Sequence, residues 1–195
     1  GFLANLLRQK VNAAYGETLD LRYVHNPIFD ETGSMYSLSR TQKLIDDDIL
    51  LLESDLLYEY RALEALLQQK EQSAMLIAPL SGSGDEVFIT VDEAMYLQNL
   101  GKEIPNKHQA VGELVGITKL SHDYLRQVWE LAESDYARGN MLDHYEEVIV
   151  RIAQSGTPLK CLKLGGLAWI EIDKAEDLQR AKNEVFPAIQ HRSAR

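Results

Sequence analysis

Asp48-Ile49-Leu50-Leu51-Leu52-Glu53-Ser54-Asp55 is the stretch on which the reading of the chain turns. Four apolar residues follow one another without polar alternation, which suits a strand buried on both faces, as in a parallel sheet. The run stops abruptly at two carboxylates, Glu53 and Asp55. Burying an unpaired charge costs several kcal/mol, so both acids are expected just beyond the carboxyl end of the strand. Open α/β sheets bind ligands at that end. Two readings fit: Asp55 holds a divalent cation over a phosphate, or Glu53-Ser54-Asp55 is a polar turn into the next helix.

The flanks supply the rest of the fold class. Phe2, Leu3, Leu6, Leu7 and Val11 recur at helical spacing, and Leu19 to His25 alternates as a short strand closed by Asn26-Pro27. Met35 to Ile45 reads as a helix with Ser34 as its N-cap. Beyond the opening strand, Tyr60 to Lys70 is a helix with Leu63, Leu66 and Leu67 on one face. Ala74 to Pro79 and Val87 to Val91 read as strands, Tyr96 to Ile104 as a hairpin, and Val111 to Leu120 as a further strand. Helices are expected over Ser121 to Ala137 and Leu142 to Gln154. Leu159 to Ile172 reads as two strand pieces broken at Gly165-Gly166, and a last helix starts near Lys174. Strands alternating with helices predict an α/β fold. The expectation is a mixed, mostly parallel central sheet flanked by helices, in a single domain over residues 1–195.

Composition narrows the function. Hydrophobic residues make up 45% and charged residues 26%, ordinary values for a globular chain with a real core. The net charge of -10 argues against a nucleic-acid partner, which needs a basic face. An anionic substrate would need a metal ion or a local cationic pocket to offset that field. No apolar run is long enough for a membrane span. A single cysteine, Cys161, excludes an internal disulfide and a cysteine zinc cluster and suits the reducing cytoplasm. The five histidines lack zinc-site spacing. Ser81-Gly82-Ser83-Gly84 lacks the ending of a phosphate loop and reads as a turn. The chain opens directly into a helical pattern without an initiating methionine, which suggests that something upstream has been removed.

A second acid-tipped strand appears at Leu167-Ala168-Trp169-Ile170-Glu171-Ile172-Asp173. Asp173 with Glu176 three residues on fits a capping box for the helix that follows. Alternatively Asp173, with Glu171 beside it, brings a second carboxylate to the cation of Asp55. Mg²⁺ is commonly held by one or two carboxylates together with phosphate oxygens and water.

Residues 168–182, AWIEIDKAEDLQRAK, are similar to the closing signature of the nucleoside-triphosphate transferase family, and most of all to its phosphocholine and 2-aminoethylphosphonate cytidylyltransferases. Residues 46–67, DDDILLLESDLLYEYRALEALL, resemble the strand, metal-binding Asp and following helix in the middle of that fold. Residues 26–45, NPIFDETGSMYSLSRTQKLI, resemble the loop and helix before it, and VGELVGITKLS at 111–121 resembles a strand near the acceptor site. The four stretches occur in the family's order. The resemblance implies a Rossmann-like nucleotidyltransferase fold and transfer of CMP from CTP to phosphocholine or 2-aminoethylphosphonate, with pyrophosphate leaving. It implies Mg²⁺ held by Asp55 and Asp173, with Glu171 as a further or supporting ligand. It places Asn26, Gly33, Ser34 and Ser37 near the nucleotide, and Glu113, Lys119, Tyr145 and Glu146 around the acceptor. A carboxylate and an aromatic ring suit a cationic amine or trimethylammonium head.

One part of the family pattern has no counterpart in these residues: the Gly-rich loop whose amides and basic side chains cradle the triphosphate. The resemblance begins at GFLANLLRQKV, after the family's second strand. The expectation is therefore a domain incomplete at its N-terminus, with exposed strand edges and little transferase activity from these residues alone. A homo-oligomer, or an N-terminal segment supplied elsewhere, is the expected complement. Three other readings stand beside the cytidylyltransferase: a sugar-1-phosphate nucleotidyltransferase, a non-catalytic regulatory or scaffold protein of the same fold, and a glycosyltransferase reading Glu53-Ser54-Asp55 as its metal motif.

Overall fold

The computed structural model describes residues 1–193. In chain order its strands are β1 (Ile49–Leu52), β2 (Leu56–Tyr58), β3 (Ala74–Ala78), β4 (Phe88–Val91), β5 (Leu97–Gly101), β6 (Gly112–Leu120), β7 (Lys160–Lys163) and β8 (Trp169–Glu171). The helices are α1 (Ala4–Tyr15), α2 (Ser34–Ser39), α3 (Arg61–Leu67), α4 (His122–Ala137), α5 (Tyr145–Gln154), α6 (Ala175–Arg180) and α7 (Phe186–Ser193). A π-helical turn, Ala181–Val185, joins the last two. The chain divides into two compact units. One is Gly1–Asp46 with Arg126–Ile149; the other is Asp47–Leu125 with the residues from Val150 on.

The larger unit is built on β6. This strand is nine residues long and buried along almost its whole length. On one edge it pairs with β3, and β3 pairs in turn with β7. On the other edge it serves two partners in succession: β4 lies against Gly112 and Glu113, and β1 against Ile117 to Leu120. The hairpin partner β5 extends the sheet beyond β4. A mixed sheet flanked by helices is what the strand and helix pattern predicts, but among the described residues only the β3–β7 pairing is parallel; the others are antiparallel. The reason lies in the crossover. Helix α3 does connect two strands, but β2 belongs to a separate two-stranded sheet with β8, so the β-α-β unit spans two sheets.

The opening stretch is also less central than its apolar run suggests. Among the described residues β1 pairs only with β6, its residues are partly buried, and Leu52 is 42% exposed. The strand buried throughout is β3, Ala-Met-Leu-Ile-Ala. Ala62 and Leu66 of α3 pack with Ala74, Leu76 and Ala78 of β3 and with Val115 and Ile117 of β6. Leu56, Tyr58, Leu162, Leu164, Leu167 and Trp169 surround that core. The start of α4 is fixed within the same unit, because the His122 amide donates to Asp48 Oδ1 at 2.8 Å and the Tyr124 amide to Ser121 Oγ at 3.2 Å.

In the smaller unit the entry to α2 lies along residues 141–145. The Gly33 amide donates to the Met141 carbonyl at 2.8 Å, and the Met35 amide to the Asp143 carbonyl at 3.3 Å. A Cβ on Gly33 would fall 2.1 Å from the Asp143 carbonyl oxygen, so only glycine permits this approach. Ser34 begins α2 rather than capping it, and Gly33 takes the cap position. The helix ends at Ser39 and a separate 3₁₀ turn covers Gln42–Leu44. The alternation at Leu19 to His25 forms no strand, since that segment has no pairing partner among the described residues. None of α1's residues is buried, despite its apolar face.

Candidate functional site

The register of the small sheet builds the acidic site. Leu56 lies opposite Glu171, Leu57 opposite Ile170 and Tyr58 opposite Trp169. The ladder continues past the strand ends, because the Ile172 amide donates to the Asp55 carbonyl at 2.9 Å. The two acid-tipped segments, far apart in sequence, therefore meet at one end of a short antiparallel pair. Glu53, Asp55 and Glu171 each bring a carboxylate oxygen within 4.8 Å of the other two, a grouping that can hold a metal ion.

Glu53 reaches this group because β6 makes room for it. Its amide donates to the Gly116 carbonyl at 3.0 Å. Gly116 has φ +80°, and a Cβ there would lie 2.3 Å from Glu53 Oε2. The glycine sits between the stretches of β6 that pair with β4 and β1, where the register against β3 also shifts. A glycine inside a strand pattern commonly marks such an irregularity or a close approach.

Electrostatics give the group its character. Partial burial and then the Asp173, Glu53, Asp55 and Asp85 carboxylates push the Glu171 carboxyl up to about 7. Glu171 as a residue is exposed, so the repulsion among carboxylates is the sturdier of the two causes. A carboxyl held up by neighbouring carboxylates in this way favours a bound cation nearby. Asp173 lies outside the set of mutually close oxygens but inside its field. Nor does Asp173 cap α6: the Lys174 amide donates to Asp177 Oδ2 at 3.0 Å, one position along from the expected box. A lysine shares this neighbourhood. Lys102 pairs with Asp85 at 2.5 Å, and that bond, with Glu171 and Asp173 adding to it, holds its ammonium above the ordinary lysine range against the opposing effect of burial.

The structure thus brings Asp55 and Glu171 together and adds Glu53, which only the glycosyltransferase reading places at a metal, and Gly116, which no reading places there. The Glu-x-Asp spacing at the strand end and a glycine in the middle of Val111 to Leu120 were the available signals.

The residues expected at the acceptor do not converge in the larger unit. Glu113 is 3% exposed, and one of its oxygens accepts from Ser81 Oγ at 3.1 Å. The other has no partner among the described residues. Burial, with Glu86 adding to it, pushes its carboxyl above the usual range although the bonds from Ser81 oppose this. Lys119 is six residues further along β6, about 20 Å at strand rise, and its ammonium donates to the Gln69 carbonyl at 3.0 Å. It pins the segment after α3.

In the smaller unit Asn26 is 3% exposed and acts as a loop clamp. Its amide nitrogen donates to Thr32 Oγ1 and Ser37 Oγ, both at 3.0 Å, and its oxygen accepts from the Ile28 amide at 3.1 Å. Ser34 Oγ accepts from the Tyr145 amide at 3.1 Å, holding the first turn of α5. Tyr145 is buried, and Glu146 follows it in that turn.

No protein-family profile matches the chain. A CMP-5'-(3-aminopropyl)phosphonate synthase of Streptomyces rubellomurinus is 24% identical over 196 residues, 96% of this chain. The chain spans 31% of that relative's length. Among solved structures, the inositol-1-phosphate CTP transferase from T. maritima superposes with a TM-score of 0.79 at 21% identity, covering 97% of this chain and 74% of that one. The CTP:phosphocholine cytidylyltransferase from Streptococcus pneumoniae gives 0.68 at 15% identity, over 91% of this chain and 73% of that one. The chain has the fold shared by these nucleotidyltransferases.

Proposed function

We propose that this chain is the greater part of a nucleotidyltransferase domain that transfers CMP from CTP to the phosphate or phosphonate of a small amine-bearing acceptor, such as phosphocholine or 2-aminoethylphosphonate. The observation that carries the reading is the convergence of Glu53, Asp55 and Glu171 at one end of the β2–β8 pair. Sequence similarity to an aminoalkylphosphonate CMP synthase and fold similarity to CTP transferases point the same way.

The donor set suits Mg²⁺: hard carboxylate oxygens, exposed enough to leave coordination positions for phosphate and water. When bound, the ion would neutralise charge on the triphosphate and on the departing pyrophosphate. In this reading Glu53, Asp55 and Glu171 hold it and Asp173 supports them. An oxygen of the acceptor phosphate or phosphonate attacks the α-phosphorus in line, the bond to the pyrophosphate oxygen breaks, and pyrophosphate carries away the electron pair. No covalent enzyme intermediate is needed. Positioning and charge neutralisation do the catalysis, with Lys102 available to the phosphates once it leaves Asp85. Asn26, Gly33, Ser34 and Ser37 are assigned to the nucleotide, with Asn26 and Ser34 shaping the backbone. In the larger unit Glu113 is assigned to the acceptor's cationic end and Lys119 to fixing the strand; in the smaller unit Tyr145 and Glu146 keep the acceptor role that the resemblance implies. The buried thiol of Cys161 suits a reducing cytoplasmic setting.

The test is Asp55→Ala in the intact protein, with CTP, Mg²⁺ and each acceptor. Activity should fall by several orders of magnitude while the circular dichroism spectrum is unchanged; retained activity removes Asp55 from the metal site. Screening CTP against UTP, dTTP and GTP, with aminated and sugar phosphates as acceptors, separates this reading from a sugar-1-phosphate nucleotidyltransferase. Failure to bind any nucleotide in the presence of Mg²⁺ would favour a non-catalytic protein.

A further inference from the structure

We propose a second ligand site in the larger unit, for a small hydroxyl-bearing phosphate monoester, in a cavity of about 650 Å³ between the start of α3 and the Gly165-Gly166 turn. It lies at the opposite end of the β2–β8 pair from the acid group, three residue pairs or about 10 Å away along the ladder.

The site is organised by a buried carboxylate. Glu59 is 5% exposed. Its carboxylate accepts from Arg61 Nε and Nη2 at 3.0 and 2.7 Å, from Arg192 Nη1 at 3.0 and 3.1 Å, and from the Ala168 amide at 3.3 Å. Burial alone would push its carboxyl up, but the two arginines and the amide override that and hold it below the usual range. Both guanidinium groups are also tied to the turn: Arg61 Nη2 donates to the Gly165 carbonyl at 3.4 Å and Arg192 Nη1 to the Gly166 carbonyl at 2.5 Å.

One arginine would neutralise Glu59. The second offsets Glu64 on the same lining, so the cavity carries no net negative charge in a chain whose net charge is -10. A guanidinium carries five N–H donors. The bonds above run through Nη1 of Arg192 and through Nε and Nη2 of Arg61, so that among the described residues Nε and Nη2 of Arg192 and Nη1 of Arg61 remain as donors. About half of each arginine side chain remains exposed. The arginines are therefore held in place before any ligand arrives, which lowers the entropic cost of binding. The approach is open, because a Cβ at Gly165 or Gly166 would meet nothing within 4 Å. Two forked donors on one side of an open cavity match the oxygens of a phosphate. Glu64, also on the lining, is an acceptor that a ligand hydroxyl can use, so the class proposed is a monoester carrying hydroxyl groups.

The experiment is calorimetric titration of the intact protein with sn-glycerol 3-phosphate, in EDTA and without nucleotide. Saturable binding is expected, weakened about tenfold or more in Arg61→Gln and in Arg192→Gln and unchanged in Asp55→Asn. Each arginine variant leaves Glu59 one cationic partner, and circular dichroism checks that the fold is kept. Phenylglyoxal modification, mapped by peptide mass spectrometry, gives an independent readout: the ligand should slow modification of Arg61 and Arg192. Absence of saturable binding, wild-type affinity in the arginine variants, or no protection of either arginine overturns the proposal. Loss of binding in Asp55→Asn also overturns it, because the ligand then belongs to the acid group.

Discussion

Replacing Gly116 by alanine separates the stability of the fold from the integrity of the acid group. Two effects act at this position. The backbone is left-handed, with φ +80°, a conformation that costs an L-residue about 1–2 kcal/mol. The new Cβ would also lie 2.3 Å from Glu53 Oε2 and 2.7 Å from its Cδ. These contacts are with the end of a flexible side chain, so the overlap is relieved by swinging the carboxylate away at little cost to the sheet. Stability should therefore fall by only the backbone penalty, a drop in Tm of about 2–8 °C for a chain of this size. Losing one of three carboxylates from a cation should cost more where it matters, about 10–100-fold in affinity, on the basis of 1.5–3 kcal/mol per charge-assisted contact. Thermal denaturation in EDTA and Mn²⁺ titration followed by electron paramagnetic resonance measure the two effects separately. The decisive comparison repeats Gly116→Ala in a Glu53→Ala background. If the substitution acts through Glu53, it should weaken Mn²⁺ binding little further there, although the Tm penalty remains. Equal loss of Mn²⁺ affinity in both backgrounds, or wild-type affinity in Gly116→Ala itself, refutes the argument.

Three other outcomes follow from the same geometry. Glu171 has its carboxyl raised to about 7, so without metal its contribution to stability is full below its unfolded value near 4.5 and is lost as pH rises through about 7. Tm in EDTA should decline across that window, and adding Mn²⁺ should remove the decline; a flat profile in EDTA counts against the carboxylate cluster. Glu113→Gln removes a buried carboxyl whose charged form burial disfavours, so at pH 8 it should raise Tm while raising KM for an aminated acceptor more than for one without the amine; an equal rise for both removes Glu113 from the amine's contacts. Leu66→Ala empties a fully buried position in the core against β3 and β6, and denaturant titration should show a loss of about 2–5 kcal/mol; a loss below about 1 kcal/mol would mean that this core collapses around the cavity.

The sequence made the elements more legible than their partners. Periodicity and turn residues locate α3, β3, β6 and α4 to within a few positions, because each sets its pattern from residues close together in the chain. Pairing direction is a property of residues far apart, and there the reading of a mostly parallel sheet went astray. Nothing local to β2 says that it leaves the main sheet for β8. The run Ile49–Leu52 misled for a similar reason: apolar character reports that a strand can be buried, not how many neighbours it has. At the candidate site, Asp55 and Glu171 were legible as acids that end apolar runs. Glu53 looked like part of the same polar turn, and its approach to the other two depends on a glycine more than 60 residues away.

That dependence explains why the acid group forms at this point of the sheet. A strand edge normally accepts one partner along its length. The β6 edge accepts β4 first and β1 last, and in the gap the Gly116 carbonyl accepts the Glu53 amide directly after β1 ends. With any side chain at Gly116 the Glu53 carboxylate would be pushed off the strand. With a strict ladder through the gap, the chain after Leu52 would continue along β6 instead of turning to start β2. The turn is what allows Leu56 to register with Glu171 and the Asp55 carbonyl to accept from Ile172. The cluster is thus a product of one interruption in a long strand followed by a short ladder. A one-residue slip of that ladder would point Glu171 to the other face.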